Sequence, residues 1–173
     1  MLFYIRLLSE KDTPAFRQMR LESFVESAYA FSESYEDEVK RPLSSFSAEL
    51  KSKGNPPEYF VLGAFAAQDQ LAGFVKFRRD PRSKARHKSM LYAMYVDSDF
   101  RRMGLGRKLI DSVLERVSKL PGLEQIHLWA LHAETSVADF YRKCGFLGQG
   151  PLVKKDLKIG EDYIDAEYMV LYL

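Results

Sequence analysis

A basic turn containing two glycines joins an apolar segment to an amphipathic one: Met94-Tyr95-Val96-Asp97-Ser98-Asp99-Phe100-Arg101-Arg102-Met103-Gly104-Leu105-Gly106-Arg107. Such a turn can hold an anion. Gly104 and Gly106 let backbone come close to a ligand, and the free N–H groups and dipole at a helix start favour a pyrophosphate. Arg101, Arg102 and Arg107 add counter-charge. Hydrogen bonds to charged groups contribute roughly 1.5 to 3 kcal/mol each, so several together would support micromolar binding. The turn has no Gly-Lys-Ser/Thr and no third motif glycine, so it matches neither a Walker loop nor a Rossmann fingerprint. On residue types alone, an anion cradle and a tight bend with solvated arginines stand level.

The surroundings add what the turn lacks. Arg101-x-x-Gly104-x-Gly106 resembles the Arg/Gln-x-x-Gly-x-Gly/Ala signature of the GNAT superfamily of acetyl-CoA-dependent N-acyltransferases, and it follows a strand ending Met94-Tyr95-Val96, as in that family. Downstream, Phe140-Tyr141-Arg142-Lys143-Cys144-Gly145-Phe146 is similar to the family's Phe/Leu-Tyr-x-x-x-Gly-Phe segment. The resemblance spans essentially the whole chain. It implies an α/β GNAT fold, a mixed and mostly antiparallel sheet of about seven strands flanked by about four helices, in one domain over residues 1–173. It also implies that the strand ending at Val96 and the strand Gln125 to Leu131 splay apart to admit pantetheine. Backbone groups of Met94, Tyr95 and Val96 would then pair with pantetheine, and Arg101, Arg102, Met103, Gly104, Leu105, Gly106 and Arg107 would cradle the pyrophosphate of acetyl-CoA. Tyr141 would serve as general acid, a role suited to a phenol, whose ordinary pKa near ~10 keeps it protonated at neutral pH. Packing on a buried helix face is the plainer role for the same tyrosine.

The activity so implied is acetyl transfer from acetyl-CoA to a primary amine, on a small molecule or a peptide, by direct attack in a ternary complex. A backbone N–H near Val96 would hold the oxyanion, and no metal is required. Because an alkylammonium has a pKa of about ~10.4, some group must first take its proton. Many relatives use a strand glutamate, but Ser89-Met90-Leu91-Tyr92-Ala93-Met94 offers no carboxylate, and His87, His132, Glu134 or a water chain are left as alternatives. Glu134 and Val137 stand where the family often has Asn and Ala, and Ser136 is both an N-cap and a cofactor-binding candidate. The acids Glu33, Glu36, Asp37 and Glu38 suit either an amine-attracting cleft or a solvated face, and Asp165 and Glu167 lie on a final strand like those of many relatives. The missing strand carboxylate also supports a second class of function, a non-catalytic acyl-CoA sensor or scaffold. Homodimers are frequent in the family.

Elements to position these groups are legible in the periodicity. Tyr4 to Leu8 reads as a strand, and Asp12, Thr13 and Pro14 start a helix whose buried face is Phe16, Met19, Phe24 and Val25. Leu43, Phe46 and Leu50 fit one side of a short helix. Tyr59 to Ala66 and Leu71 to Arg78 form a hairpin, the basic loop Asp80 to His87 follows, and Ser89 to Val96 is a central strand. Leu105, Leu109, Ile110, Val113, Leu114, Val117 and Leu120 mark the clearest helix, stopped by Pro121 and Gly122. Gln125 to Leu131 is a further strand. Val137, Phe140, Tyr141 and Cys144 share a helix face closed by Gly145, and Phe146 to Val153 and Tyr163 to Leu173 close the sheet across a turn at Lys158 to Asp162. Trp129 and Cys144 are assigned to the core.

Composition sets the bounds. The 173 residues are 46% hydrophobic, enough for a real core, which excludes a disordered or collagen-like chain. With 26 basic and 24 acidic residues, the net charge of +2 argues against nucleic acid or anionic membrane as main partner. A lone cysteine excludes an internal disulfide, and Met1 to Leu8 lacks a signal peptide's apolar stretch and cleavage site. Tyr59 to Ala67 is too short for the ~18 to 20 residues of a membrane span. The expectation is a cytoplasmic protein.

Overall fold

The computed structural model describes residues 3–51, 53–54, 57–132 and 135–173. The strands are β1 (Tyr4–Leu7), β2 (Lys53–Gly54), β3 (Pro57–Phe65), β4 (Leu71–Arg79), β5 (Lys88–Val96), β6 (Gln125–Leu131), β7 (Leu147–Gly148), β8 (Val153–Ile159) and β9 (Asp162–Tyr172). The helices are α1 (Thr13–Glu26), α2 (Tyr35–Glu38), α3 (Leu43–Glu49), α4 (Leu105–Val117) and α5 (Thr135–Lys143). The strands make one mixed sheet ordered β1-β3-β4-β5-β6-β9-β7, with β2 beside β3 and β8 beside β9. Every described pairing is antiparallel except β5 with β6, which α4 connects. The mixed, mostly antiparallel sheet, with seven strands in the main order and five helices, agrees with the α/β architecture that the resemblance implies.

Strand alternation divides the core into two layers. On one face of the sheet, Leu62, Val75, Phe77, Leu91, Ile126, Leu128 and Met169 meet Leu105, Leu109, Ile110 and Val113 of α4 and Ala138 of α5. The opposite face buries Val61, Phe65, Phe74 and Tyr95 under Phe16, Met19 and Phe24 of α1 and Phe46 of α3. This second layer stops at β5. No residue of β6 or β9 belongs to it, so among the described residues no helix covers that half of the sheet on the α1–α3 side.

Several side chains depart from the sequence reading, for reasons of helical phase and strand face. Val25 is 71% exposed, because the buried stripe of α1 runs through Thr13, Phe16, Met19, Arg20, Ser23 and Phe24. Leu43 is exposed at the first position of α3, and Val137 is exposed while its neighbour Ala138 is buried. Trp129 is on the uncovered face of β6, 47% exposed, rather than in the core. The penultimate strand is broken in two, β7 and β8, so residues 149–152 are not in a strand, and the turn between β8 and β9 is shorter than Lys158 to Asp162.

A chain of charges locks α1, α2, α3 and β4 together. Arg20 Nε donates to Glu38 at 3.1 Å, Arg41 Nη1 donates to Glu38 at 2.9 and 3.0 Å, Arg41 pairs with Glu49, and Glu49 also pairs with Lys76 of β4. Burial pushes the Glu49 carboxyl up, but Lys76 and Arg41 outweigh it and hold it below the usual glutamate range. Its contribution is therefore complete above the ordinary glutamate value and is lost as pH falls through the lower folded value. Glu49→Gln leaves Lys76 buried with no carboxylate, at a cost of about 3 kcal/mol, so the melting temperature should fall by about 6 to 12 °C. The difference between wild type and variant should shrink as the pH is lowered; calorimetry showing no difference at neutral pH would contradict this account.

Candidate functional site

The ladder between β5 and β6 is short. Only Lys88↔Gln125, Ser89↔Ile126 and Met90↔His127 are paired, and from Leu91 onward the two parallel strands separate. The cause is visible on the other edge of β5, where the register with β4 shifts between Phe74↔Tyr95 and Lys76↔Tyr92. Two residues of β5 there oppose one of β4, and Ala93 has φ +53°, the signature of a bulge that bends the strand away from its neighbour.

Beyond the bulge, the backbone direction follows from one hydrogen bond. Asp97 N–H donates to Ala72 O at 3.1 Å, so Asp97 and, two residues back, Tyr95 turn their backbone groups to β4. Met94 and Val96 turn theirs into the opening beside β6. The Val96 carbonyl is already engaged by Arg101 Nε at 2.9 Å, leaving the Val96 N–H and the backbone groups of Met94 facing the gap. Of the three backbone candidates, Tyr95 is thus used by the sheet, and its hydroxyl donates to Glu26 of α1 at 2.5 Å.

The turn after β5 has anion-binding geometry. Arg102 has φ +62° and Gly104 φ +78°, the left-handed alternation that gathers backbone N–H groups into a concave nest. Gly104 is the N-cap of α4, with no side chain capping the helix. The first turn carries no acid, a Cβ built on Gly104 meets nothing within 4 Å, and the N–H groups of Leu105, Gly106 and Arg107, in the first turn of α4, have no intrahelical partner. Gly106 has the opposite role. A Cβ there would lie 3.2 Å from Met94 Cε and 3.2 Å from Phe140 Cζ, so its hydrogen lets α4, β5 and α5 meet at one point.

The three arginines do not share one fate. Arg101 is held by Glu26 at 3.1 Å and by the Val96 carbonyl, and Arg107 by Asp111 at 2.8 Å and the Lys143 carbonyl at 2.9 Å. Arg101 ties the turn to α1, and Arg107 ties α4 to the end of α5. Arg102 alone makes no ion pair among the described residues, and it and Met103 are exposed. The counter-charge read from the sequence is therefore committed in large part to holding the turn in shape.

Tyr141 approaches the opening from below. It lies on α5, which ends in the hydrogen bonds Gly145 N–H to Arg142 O (2.9 Å) and Phe146 N–H to Tyr141 O (3.0 Å), with Gly145 at φ +97°. Its hydroxyl is 3.8 Å from Met94 Sδ, and burial, with a smaller effect from Cys144, pushes the phenol above its ordinary value. The proton therefore stays on oxygen at neutral pH. Helix α5 starts at Thr135, which puts Ser136 inside the first turn rather than at the cap, and its side chain and Glu134 lie outside the described residues.

The carboxylates and histidines singled out in the sequence are engaged elsewhere. Glu167 is buried and held by Arg142 at 2.6 Å and His132 at 3.0 Å on the α5 side of the sheet, and Asp165 pairs with Lys154 at 2.7 Å. Glu38 is buried between Arg20 and Arg41, so of the acids after α1 only Glu33, Glu36 and Asp37 are exposed. No group of three or more His, Cys, Asp or Glu among the described residues could hold a metal, and none of the described helices is long and apolar enough to cross a membrane. Sequence reasoning missed His127 and Tyr168, discussed below; their alternation with Trp129 on facing strands was the available signal.

Comparison with known proteins is consistent with this geometry. The acetyltransferase (GNAT) family model matches residues 14–146. Among solved structures, a GNAT-family acetyltransferase from Streptococcus pneumoniae is 21% identical with a TM-score of 0.87, covering 99% of each chain. The ribosomal-protein-alanine N-acetyltransferase of Brucella melitensis is 23% identical with a TM-score of 0.80, over 98% of this chain and 99% of the other. YncA of Salmonella typhimurium, solved with its cofactor acetyl-CoA, is 16% identical with a TM-score of 0.78, over 100% of this chain and 95% of its own. At these identities the likeness is one of fold. A search of curated protein sequences finds no match.

The meeting of Gly106, Met94 and Phe140 is open to a direct check. Gly106→Leu should overpack it, cost about 2 kcal/mol and lower the melting temperature by about 4 to 8 °C; a variant melting with the wild type would show that the three elements do not meet there.

Proposed function

The chain belongs to the GNAT acetyltransferase family, and from that premise we propose that it transfers an acetyl group from acetyl-CoA to a primary amine, by direct attack while both substrates are bound. The observation that carries this reading is the opening between β5 and β6 beyond Met90, with the Tyr141 hydroxyl 3.8 Å from Met94 Sδ at its edge. The residues present fit coenzyme A. The backbone groups of Met94 and the Val96 N–H would receive pantetheine as a short strand mimic, and the nest from Arg102 to Arg107 would receive the diphosphate, helped by the α4 dipole and the exposed Arg102. Acetyl-CoA supplies an acyl group on sulfur, activated toward nitrogen nucleophiles.

The chain's own contributions are positioning and charge control. A backbone N–H of the Met94–Val96 segment stabilises the carbonyl oxygen as it gains negative charge, and Tyr141 gives its proton to the departing sulfur. Its raised pKa keeps that proton available across the neutral range. Of the two acceptor classes, a small-molecule amine and a peptide amine, both satisfy this chemistry. The amine arrives on the α1–α3 side, where Tyr92 of β5 and Trp129 of β6 stand on the two lips of the opening.

Two measurements check these assignments. In single-turnover reactions with a panel of amines, Tyr141→Phe should slow the chemical step by about a hundredfold while leaving acetyl-CoA affinity near wild type; an unchanged rate would remove the acid role. Gly104→Val forces a β-branched residue to φ +78° and places its side chain in the nest. Calorimetry should show acetyl-CoA affinity lost while circular dichroism retains the fold, and retained affinity would contradict the diphosphate assignment. Tight acetyl-CoA binding with no thiol release on any amine would instead favour a sensor.

A further inference from the structure

An ammonium must lose a proton before it attacks, and the acids around the opening are already committed to cations. Glu26 is held by Tyr95, Ser98 and Arg101, Glu49 by Lys76 and Arg41, and Glu167 by Arg142 and His132 on the other face of the sheet. One neutral pair on the acceptor side is not so committed. His127 is the last residue of β6 to pair with β5, and it is 5% exposed. Its Nδ1 meets the hydroxyl of Tyr168, and its Nε2 is 2.9 Å from Gln125 Oε1. With Gln125 Oε1 turned to Nε2, the tautomer that satisfies both contacts carries its hydrogen on Nε2 and leaves Nδ1 bare to accept from the phenol.

The place is as telling as the hydrogen bonds. Tyr168 pairs with Trp129, and the two rings pack at a tilt of 42° with centroids 4.9 Å apart on the half of the sheet that α1–α3 leave uncovered. The Tyr168 hydroxyl reaches back over the rung Met90↔His127, the closed end of the opening, on the face opposite to Tyr141. We propose that Tyr168 and His127 are the proton-accepting pair of this enzyme: Tyr168 Oη takes a proton from the substrate ammonium as it passes its own to His127 Nδ1. This rests on the acetyltransferase reading above. The balance is simple. One N–H bond of the ammonium breaks, Tyr168 remains a neutral phenol, His127 becomes an imidazolium whose Nε2–H is held by Gln125, and the proton later returns to solvent through Tyr168.

The charged and titratable groups around the pair fit this use. Lys88 and His87, at the start of β5, face His127; Tyr168 faces it from β9, Tyr172 faces Tyr168, and Val170 and Met90 are its uncharged strand neighbours. Burial first, then Lys88 and His87, depress the His127 pKa, so it is neutral at pH 7 with its Nδ1 lone pair free, and the same groups drive the imidazolium to give its proton back. Burial and Tyr172 raise that of Tyr168, so it holds its proton until it can exchange one for another. Tyr168 is the group that touches substrate. His127 acts through it.

The test reads the pair with and without turnover. In protein carrying nitrogen-15 histidine, assigned by His127→Gln, NMR at pH 7 should show His127 with protonated Nε2 and bare Nδ1, and Tyr168→Phe should shift the Nδ1 resonance. A protonated Nδ1 in the wild type would overturn the relay even if no probe amine is acetylated. With butylamine, phenethylamine and spermidine as probe acceptors, Tyr168→Phe and His127→Gln should each lower kcat/KM by about a hundredfold at pH 7. The loss should be recovered by about tenfold per pH unit as the free amine accumulates toward its own pKa near ~10.4. Acetyl-CoA affinity by calorimetry should stay within about twofold of wild type in both variants. An unchanged rate at pH 7, or an equal loss at every pH, would contradict the proposal, whereas wild type failing to bind acetyl-CoA would contradict the underlying acetyltransferase reading instead.

Discussion

A parallel ladder that stops after three rungs governs the rest of the molecule. Two neighbouring strands in a buried sheet ordinarily satisfy each other's backbone along their full length. Here the bulge at Ala93 turns β5 out of register, so Met94 and Val96 point polar backbone groups into a gap. A gap of that kind inside a sheet is costly unless something fills it, and a substrate with amide groups of its own is a natural occupant. Everything proposed for the site is arranged around this interruption: the nest beyond its open end, Tyr141 beneath it, and Tyr168 with His127 above its closed end.

Holding the gap open requires a rigid frame, and charge provides much of it. Arg101 joins α1 to the end of β5 through Glu26 and the Val96 carbonyl, Arg107 joins α4 to the end of α5, and Arg142 joins α5 to β9 through Glu167. On the α1–α3 face, the run of pairs from Arg20 to Lys76 fixes three helices over β4. Side-chain charge thus builds the walls, while the proposed diphosphate site is made chiefly of backbone N–H groups. Those groups need no reorganisation when a ligand arrives, which is the advantage of backbone over flexible arginines as a first contact.

Much of this was legible in the sequence. Helix α4 announced itself because six apolar residues within it recur with its period, and Gln125–Leu131 because an apolar run lay between clear breaks. The glycine turn and the Tyr141 segment were legible because only a few residue types can perform those tasks. The failures have physical causes. Val25, read as buried, is exposed, and Arg20 is buried because aromatic rings over the guanidinium and a buried carboxylate make an arginine acceptable in a core position, which hydrophobicity alone does not foresee. Trp129 was assigned inward because a large aromatic on an apolar strand reads as core unless one knows that no helix covers that half of the sheet. The roles of Arg101 and His127 depend on partners 75 and 41 residues away, Glu26 and Tyr168, and no local pattern reports such pairings.

The central claim is that the interruption between β5 and β6 is the acyl-CoA site. A crystal structure of the protein with coenzyme A addresses it most directly. The account predicts the diphosphate on the N–H groups of Leu105, Gly106 and Arg107, and pantetheine hydrogen-bonded along Met94 and Val96 with its sulfur beside the Tyr141 hydroxyl. A β5–β6 ladder continuing unbroken to Val96, or coenzyme A lodged on another surface with the gap closed, would contradict it.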